Sequence, residues 1–279
     1  MTSRQNPLIK QLRKLHNAKE RSRQQRLLLE GTHLLEAALQ THYPLETVCF
    51  TDHWRSRHPH LWQQLTQAAT DPTTDAVAHP QTGPRLIQVS DQVLASLTTT
   101  PHPDGIVAAA RRHPPCRPPN LSQSPCSLGI LLETLQDPGN LGTIIRTAAA
   151  TEVEGLWLSP DSVGYDHPKV LRASVGQWFR LPFGVADQPR LLVEQAKAAG
   201  LRVVATQPGA TQTHWDLDWC QPSLILLGNE GAGLSAELAA LADEAVAIPL
   251  APGVESLNAA IALAVILYEA QRQRRRSAG

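Results

Sequence analysis

Apolar positions recur with two different rhythms along the chain. In the N-terminal segment, Leu8, Ile9, Leu12 and Leu15 fall at helical spacing, so residues 1–30 read as an amphipathic helix. A second helix is predicted over 31–39, strands over 45–51, 85–89 and 105–110, and a short helix over 91–97 capped by Ser90. Residues 68–84 are polar and rich in Pro, Thr and Gly, which predicts a mobile surface insertion. The stretch 113–125, HPPCRPPNLSQSP, holds five prolines and can continue neither a helix nor a central strand. A linker is therefore expected at 113–126, after a small α/β domain at 1–112.

From Ser127 the rhythm becomes a regular alternation. Short apolar runs at 128–132, 155–158, 202–205, 224–227 and 245–248 predict strands. Longer stretches at 141–150, 168–178, 189–199, 235–241 and 257–274 predict helices. Wholly apolar strands separated by helices imply an α/β domain over 127–279, with a parallel sheet covered on both faces. No internal repeat is evident.

Composition narrows the function classes. Of 279 residues, 42% are hydrophobic and 18% charged, enough to build a core. Lys plus Arg and Asp plus Glu each number 25, which excludes a uniformly basic nucleic-acid binder but allows locally basic regions. One such region is the N-terminal segment, with Lys10, Arg13, Lys14 and Arg21 among its cations. It is either a solvated helix face or a phosphate-contacting arm. Cys49, Cys116, Cys126 and Cys220 form no C-x-x-C pair and read as free thiols of a reducing compartment. With no signal-peptide core and no membrane-length apolar run, the expectation is a cytoplasmic protein with no membrane partner.

Three loops that follow strands of the second domain have unusual compositions, and in open parallel sheets ligands bind beyond the carboxyl ends of the strands. The first, ETLQDPGNLGTIIR, puts a turn at 137–139, then Asn140, and Arg146 about one and a half turns into the helix. Taken alone, Arg146 could be a surface cation. The second, GNEGAG at 228–233, carries three glycines, which permit close approach of backbone to a ligand or to another chain segment. Gly231 to Ala236, which overlaps it, satisfies G-x-G-x-x-A, so an NAD-dependent oxidoreductase of Rossmann type is the alternative. That reading is weakened by the motif's position near the chain's end and by Glu230, which would repel a pyrophosphate. The third, IPLAPGVESLN at 248–258, feeds a helix on which Leu257, Ile261, Val265 and Tyr268 recur at helical spacing, with Ser256 as its natural cap. Asn258 in the first turn has no strong structural excuse.

In this order and at these spacings, N-x-G-x-x-x-R at 140–146, G-N-E-G-x-G at 228–233 and I-P-L with E-S-L-N at 248–258 resemble the SpoU (TrmH-like) branch of the SPOUT RNA methyltransferases. Lys169, Arg172, Ser174 and Gly176 resemble that family's K-x-x-R-x-S-x-G stretch. Asn6 to Lys10, Glu30-Gly31 and the segment 101–107 look like the substrate-binding domain that many members carry, itself similar to a small ribosomal RNA-binding protein. The resemblance implies a parallel sheet whose C-terminal segment forms a deep trefoil knot, and a homodimer packed through the knotted region. It implies S-adenosylmethionine as cofactor, no metal, and methylation of a ribose 2′-hydroxyl in structured RNA, with ribosomal RNA favoured over transfer RNA. Residue by residue, Arg146, Asn140, Glu230, Ser256 and Asn258 become the expected catalytic group. Leu227, Gly228, Asn229, Gly231, Ile248, Leu250 and Leu257 become the expected cofactor contacts. Lys10, Arg13, Lys14 and Arg21 become the expected RNA contacts. Arg146 would act either as a deprotonated base or as a positioning cation, since arginine stays protonated in proteins. A non-catalytic RNA-binding relative is the remaining class, but such relatives usually lose these motif residues.

Overall fold

A computed structural model describes residues 1–70, 83–114, 116–121 and 126–277. Most of the expected surface insertion at 68–84, and part of the proline-rich linker, lie outside the described residues. The chain divides into two compact units, Met1–His113 with Asp166–Phe179, and Pro114–Tyr165 with Arg180–Gly279.

The first unit begins with α1 (Pro7–Lys14) and α2 (Ala18–Gln24). There follow β1 (Arg26–Glu30), α3 (Thr32–Gln40), β2 (Leu45–Phe50), α4 (Asp52–Arg57), α5 (Pro59–Thr70), β3 (Arg85–Gln88), α6 (Asp91–Ala95) and β4 (Ile106–Arg111). Its sheet has the order β1-β4-β2-β3, with β4 antiparallel to β1 and β2 and β3 parallel to β2. The N-terminal segment is thus not one helix. The Asn17 side chain accepts a hydrogen bond from the Lys19 N–H and starts a second helix, and Gln25 in the left-handed region (φ 51°) ends it before β1. The spacing of Ile9, Leu12 and Leu15 does mark a buried face: all three pack with Leu28, Cys49 and Val107.

The second unit contains β5 (Leu128–Leu132), α7 (Pro138–Ala150) and β6 (Gly155–Leu158); then, after α8 (Pro168–Ala173), β7 (Phe183–Val185), α9 (Pro189–Ala198), β8 (Arg202–Thr206) and β9 (Gln212–Thr213). It ends with β10 (Ser223–Leu227), α10 (Ala236–Leu241), β11 (Glu244–Ala247) and α11 (Ala259–Ser277). Every neighbouring pair in the order β7-β6-β5-β10-β8-β11-β9 is parallel. β5 and β10 are buried at every position, as continuous apolar strands covered on both faces should be. No helix among the described residues is long and apolar enough to cross a membrane.

The excursion between β6 and β7 groups with the first unit. It carries α8 and a 3-10 turn at Gln177–Phe179. Two charged clusters hold it there. Asp166 takes Arg21 (Nε 3.1 Å from Oδ2) and Arg112, while Arg172 donates to Glu30 at 2.8 Å and to Thr99 at 2.7 Å. Burial pushes the Asp166 carboxyl up, but hydrogen bonds and charge from Arg21 and Arg112 outweigh it and hold the acid below its ordinary range. Arg21 is only 2% exposed, and it also donates to the carbonyls of Leu15 and His16. Its expected role as an RNA contact is therefore corrected: the guanidinium is spent inside the unit and is out of reach of a phosphate. Because removing one member of a buried pair strands the other, Arg21→Ala should destabilise the protein by about 3 kcal/mol. The urea midpoint of unfolding reads that loss.

The four cysteines are free, and burial pushes the Cys49 and Cys126 thiols up to about 11.

Candidate active site

The carboxyl ends of β5 and β10 carry two loops that grip each other. After β5 the chain turns at Thr134, then Asp137 caps α7 by accepting from the Asn140 N–H at 2.8 Å. After β10 comes the glycine cluster. A Cβ at Gly228 would sit 2.1 Å from the Gly233 carbonyl carbon, so this glycine is required by the loop's own closure, one of the two uses the glycine pattern allows. Asn229 pins that closure. Its Oδ1 accepts from the Gly231 and Ala232 N–H groups, each at 2.9 Å, and its Nδ2 donates to the Thr134 carbonyl at 2.9 Å. The loop's N–H groups at 231 and 232 thus turn inward instead of facing a pyrophosphate, which removes the structural basis of the G-x-G-x-x-A reading.

Glu230 reaches in the other direction. Its carboxylate accepts from the N–H groups of Gln136 (3.1 Å) and Asp137 (3.0 Å) and from the Asn140 side-chain amide (3.0 Å). It stands before the N-terminus of α7, where a helix favours negative charge. Burial raises its pKa, but the donors at Asp137, Asn140 and Gln136 outweigh that and hold it below the ordinary 4.5.

The third segment arrives from β11. Asn258 Nδ2 donates to Asn140 Oδ1 at 2.9 Å, while its Oδ1 accepts from the N–H groups of Ala260 (3.0 Å) and Ile261 (3.3 Å). Asn258, not Ser256, is therefore the side chain that caps α11, and the same residue ties the helix to Asn140. Ser256 is exposed two residues earlier. The three segments enclose a cleft of about 590 Å³ bounded by Gln136, Asp137, Asn140, Asn229, Glu230 and residues 256–259.

Of the expected catalytic group, Asn140, Glu230, Ser256 and Asn258 line this cleft and Arg146 does not. Arg146 is exposed on α7, with no hydrogen bond or ion pair to any described residue. Of the expected cofactor contacts, Asn229 and Leu257 line the cleft, whereas Leu227, Gly228, Gly231, Ile248 and Leu250 lie outside its lining. Lys10, Arg13 and Lys14 are exposed on α1. Sequence reasoning did not find the backbone donors of Gln136 and Asp137. The Asp-Pro-Gly turn located them without showing what they would hold. No group of His, Cys, Asp and Glu suited to a metal occurs among the described residues.

Comparison with known proteins identifies the two halves separately. The SpoU rRNA Methylase family model matches residues 127–268, and an MRM3-like substrate binding domain matches residues 6–108. An uncharacterized tRNA/rRNA methyltransferase of Synechocystis sp. is 46% identical over 98% of this chain and 93% of its own length. The 23S rRNA (guanosine(2553)-2′-O)-methyltransferase RlmP of Bacillus subtilis is 29% identical over 95% of this chain and 96% of its own. Among solved structures, the SpoU methyltransferase AviRb from Streptomyces viridochromogenes, in complex with the cofactor AdoMet, superposes with a TM-score of 0.81 at 30% identity, over 97% of this chain and 99% of that one.

Proposed function

The chain belongs to the SpoU rRNA methylase family, and on that premise we propose that it transfers the methyl group of S-adenosylmethionine to a ribose 2′-hydroxyl of ribosomal RNA in the cytoplasm. The observation that carries the proposal is the junction of Glu230, Asn140 and Asn258. Three distant segments are hydrogen-bonded into one wall at the ligand-binding end of a parallel sheet.

The cleft suits the cofactor chemically. Its polar wall of asparagine amides stands beside the apolar Leu257, and the ionised Glu230 offers the negative charge a sulfonium cation favours. When bound, the sulfonium supplies an already activated methyl group, so no metal is needed. Within the family's motif pattern, the holding residues are Asn229, Leu257 and the backbone at Leu227, Gly228, Gly231, Ile248 and Leu250. Methyl transfer requires the ribose hydroxyl to lose its proton, here to solvent water, as the new O–C bond forms and the C–S bond breaks to leave a neutral thioether. Arg146 is assigned to the acceptor side as a fixed cation that positions the hydroxyl or its neighbouring phosphate. Its exposure and free guanidinium support that assignment.

Residues 1–112 supply the RNA-binding domain, and residues 127–279, apart from the 166–179 excursion that groups with the first unit, supply the catalytic one. Lys10, Arg13 and Lys14 contact phosphate. Because the same helix buries Ile9 and Leu12, their test is charge removal and not deletion. Changing all three to glutamine should lower the salt slope of RNA binding by about 2 to 3, at roughly 0.7 to 0.9 per phosphate contact. An unchanged slope would assign the helix to bare solvation.

The trefoil knot and the dimer are part of the same proposal. β11 is separated from β5 by β8 and β10, yet the chain leaving β11 returns to Asn140 beyond β5. A path crossing back over the strand ends is what a knotted C-terminal segment needs. The stripe predicted on α11 supports a second copy as its cover. Ile261 and Tyr268 are 51% and 55% exposed and Leu257 and Val265 also lie open, while Leu263, Ile266, Leu267 and Ala270 face inward. Ile261→Glu with Tyr268→Glu should give a monomer in sedimentation, against a wild-type dimer.

The decisive assay for activity uses unmodified ribosomal RNA, transfer RNA and S-adenosylmethionine labelled on the methyl group, followed by mapping of 2′-O-methyl positions. Label at one ribosomal ribose is the expected result. Label confined to transfer RNA, or none, refutes the assignment.

A further inference from the structure

Ser159 and Asp161 belong to none of the motif segments, and Thr134 sits in the first loop ahead of its N-x-G-x-x-x-R motif; all three lie outside the cleft lining, yet they hold the turn on which the cleft wall hangs. Thr134 is β-branched and has a φ of 54°, in the left-handed region that such residues avoid. A conformation of this kind persists only where its surroundings over-determine it. Here they do. The Thr134 N–H donates to the buried Ser159 hydroxyl at 2.7 Å, and the Thr134 hydroxyl donates to Asp161 Oδ2 at 2.7 Å. Ser159 in turn donates to Asp161 Oδ1 at 2.5 Å, and the next N–H, from Leu135, donates to Ser162 at 3.1 Å. The Asp161 carboxylate thereby fixes both the side chain and, through Ser159, the backbone of one residue.

That residue decides where three other groups point. The Thr134 carbonyl receives the Asn229 amide, and the two N–H groups that follow the turn, from Gln136 and Asp137, grip Glu230. Gln136 is itself drawn toward the same loop, its side chain donating to the Asp161 carbonyl at 2.9 Å. Glu230 orients Asn140, and Asn140 orients Asn258. One connected path therefore runs from Asp161 to Asn258, and only its second half touches the cleft.

We propose that Asp161, acting through Ser159 and the strained Thr134 turn, is a positioning residue that sets the geometry of the Asn229, Glu230 and Asn140 wall for cofactor binding and methyl transfer. This inference rests on the reading that the cleft takes S-adenosylmethionine. Asp161→Ala and Thr134→Val each remove the hydroxyl–carboxylate contact, and Thr134→Ser keeps it. Thr134→Gly removes the hydroxyl while making the backbone conformation easy.

The full-length variants are compared with wild type for the Kd of S-adenosylmethionine, kcat, the Kd of ribosomal RNA and the unfolding midpoint. Asp161→Ala, Thr134→Val and Thr134→Gly should each weaken cofactor binding at least tenfold and lower kcat, with RNA affinity within about twofold of wild type. Thr134→Ser should restore both. The split between cofactor and RNA affinity separates positioning from general loss of structure, which would lower both together. Wild-type cofactor affinity and kcat in Asp161→Ala or Thr134→Val overturns the proposal, and so does full activity in Thr134→Gly. A parallel loss of RNA affinity and unfolding midpoint in all variants also overturns it. A wild-type protein that binds no S-adenosylmethionine would instead bring down the functional reading itself, and the inference with it.

Discussion

Arg146→Ala is expected to lower methyl transfer at least a hundredfold while leaving the Kd of S-adenosylmethionine within about twofold, which is the scale of loss when a positioned proton-transfer or charge-stabilising group is removed. The two halves of this expectation have separate causes. Arg146 does not line the cleft, and no described residue depends on its guanidinium, so its loss leaves the Glu230–Asn140–Asn258 wall intact. For the same reason the substitution should be nearly neutral for stability, as exposed substitutions away from special features usually are. The acceptor side is different. A ribose hydroxyl is a poor nucleophile, and a cation that fixes it or stabilises its developing charge acts chiefly in the transition state, so its removal lowers kcat more than KM. Single-turnover transfer with isothermal titration of the cofactor checks both halves. Arg146→Lys tests what the cation must be: a point charge should recover part of kcat if charge alone suffices, whereas a bidentate or planar contact would not be recovered. Normal turnover by Arg146→Ala refutes the assignment.

The contrast between Arg146 and the cleft wall shows where sequence reasoning reaches and where it stops. The strand–helix alternation of the second half was legible because β5 and β10 are buried on both faces and so read as unbroken apolar runs. β7, with three residues, and β9, with two, were too short to produce a period. β1 escaped because its apolar Leu27, Leu28 and Leu29 directly follow a helical basic segment, whose rhythm was extended over them. Periodicity on α11 identified a real stripe but could not say which way it faced. Ile261, Val265 and Tyr268 turned out to be its open side, with Leu257 exposed just before the helix begins. Among site residues, Asn140, Glu230 and Asn258 could be named as a pattern, but their joining depends on an amide–carboxylate contact across 90 residues and an amide–amide contact across 118. Asp161 lay outside every segment singled out, and Thr134 lay in the first loop with nothing to mark its role. Their role comes from one left-handed turn, and a threonine does not announce such a turn as a glycine would.

Glu230→Gln should weaken S-adenosylmethionine binding by about tenfold, less than Glu230→Ala but measurable, although it preserves size and shape. The reason lies in what surrounds the group. Three donors converge on Glu230: the N–H groups of Gln136 and Asp137 and the Asn140 amide. A carboxylate is acceptor-only and can serve all three, whereas a glutamine amide replaces one acceptor oxygen with an NH2 that must face a donor. With the amide oxygen in the place of Oε1, which takes Asp137 and Asn140, one contact is lost: the Gln136 N–H then faces donor against donor. Hydrogen bonds to a charged group are worth about 1.5–3 kcal/mol, and solvent access at this exposed residue pulls the effect toward the low end. One such loss, about 1.5 kcal/mol, corresponds to roughly tenfold in Kd. The same geometry fixes the pH dependence. The folded-state pKa of Glu230 lies below its ordinary 4.5, so the unfolded chain takes up the proton first as pH falls. The stabilising contribution is therefore fully present above 4.5 and is lost as pH falls through the lower native value. Cofactor affinity in the wild type should decline through that acid window, and in Glu230→Gln the part of the decline owed to this group should be absent. Titrations of both proteins from pH 7 downward decide the matter. Parallel curves would mean that the charge of Glu230 does not hold the wall, and the chain of contacts to Asn140 and Asn258 would lose its anchor.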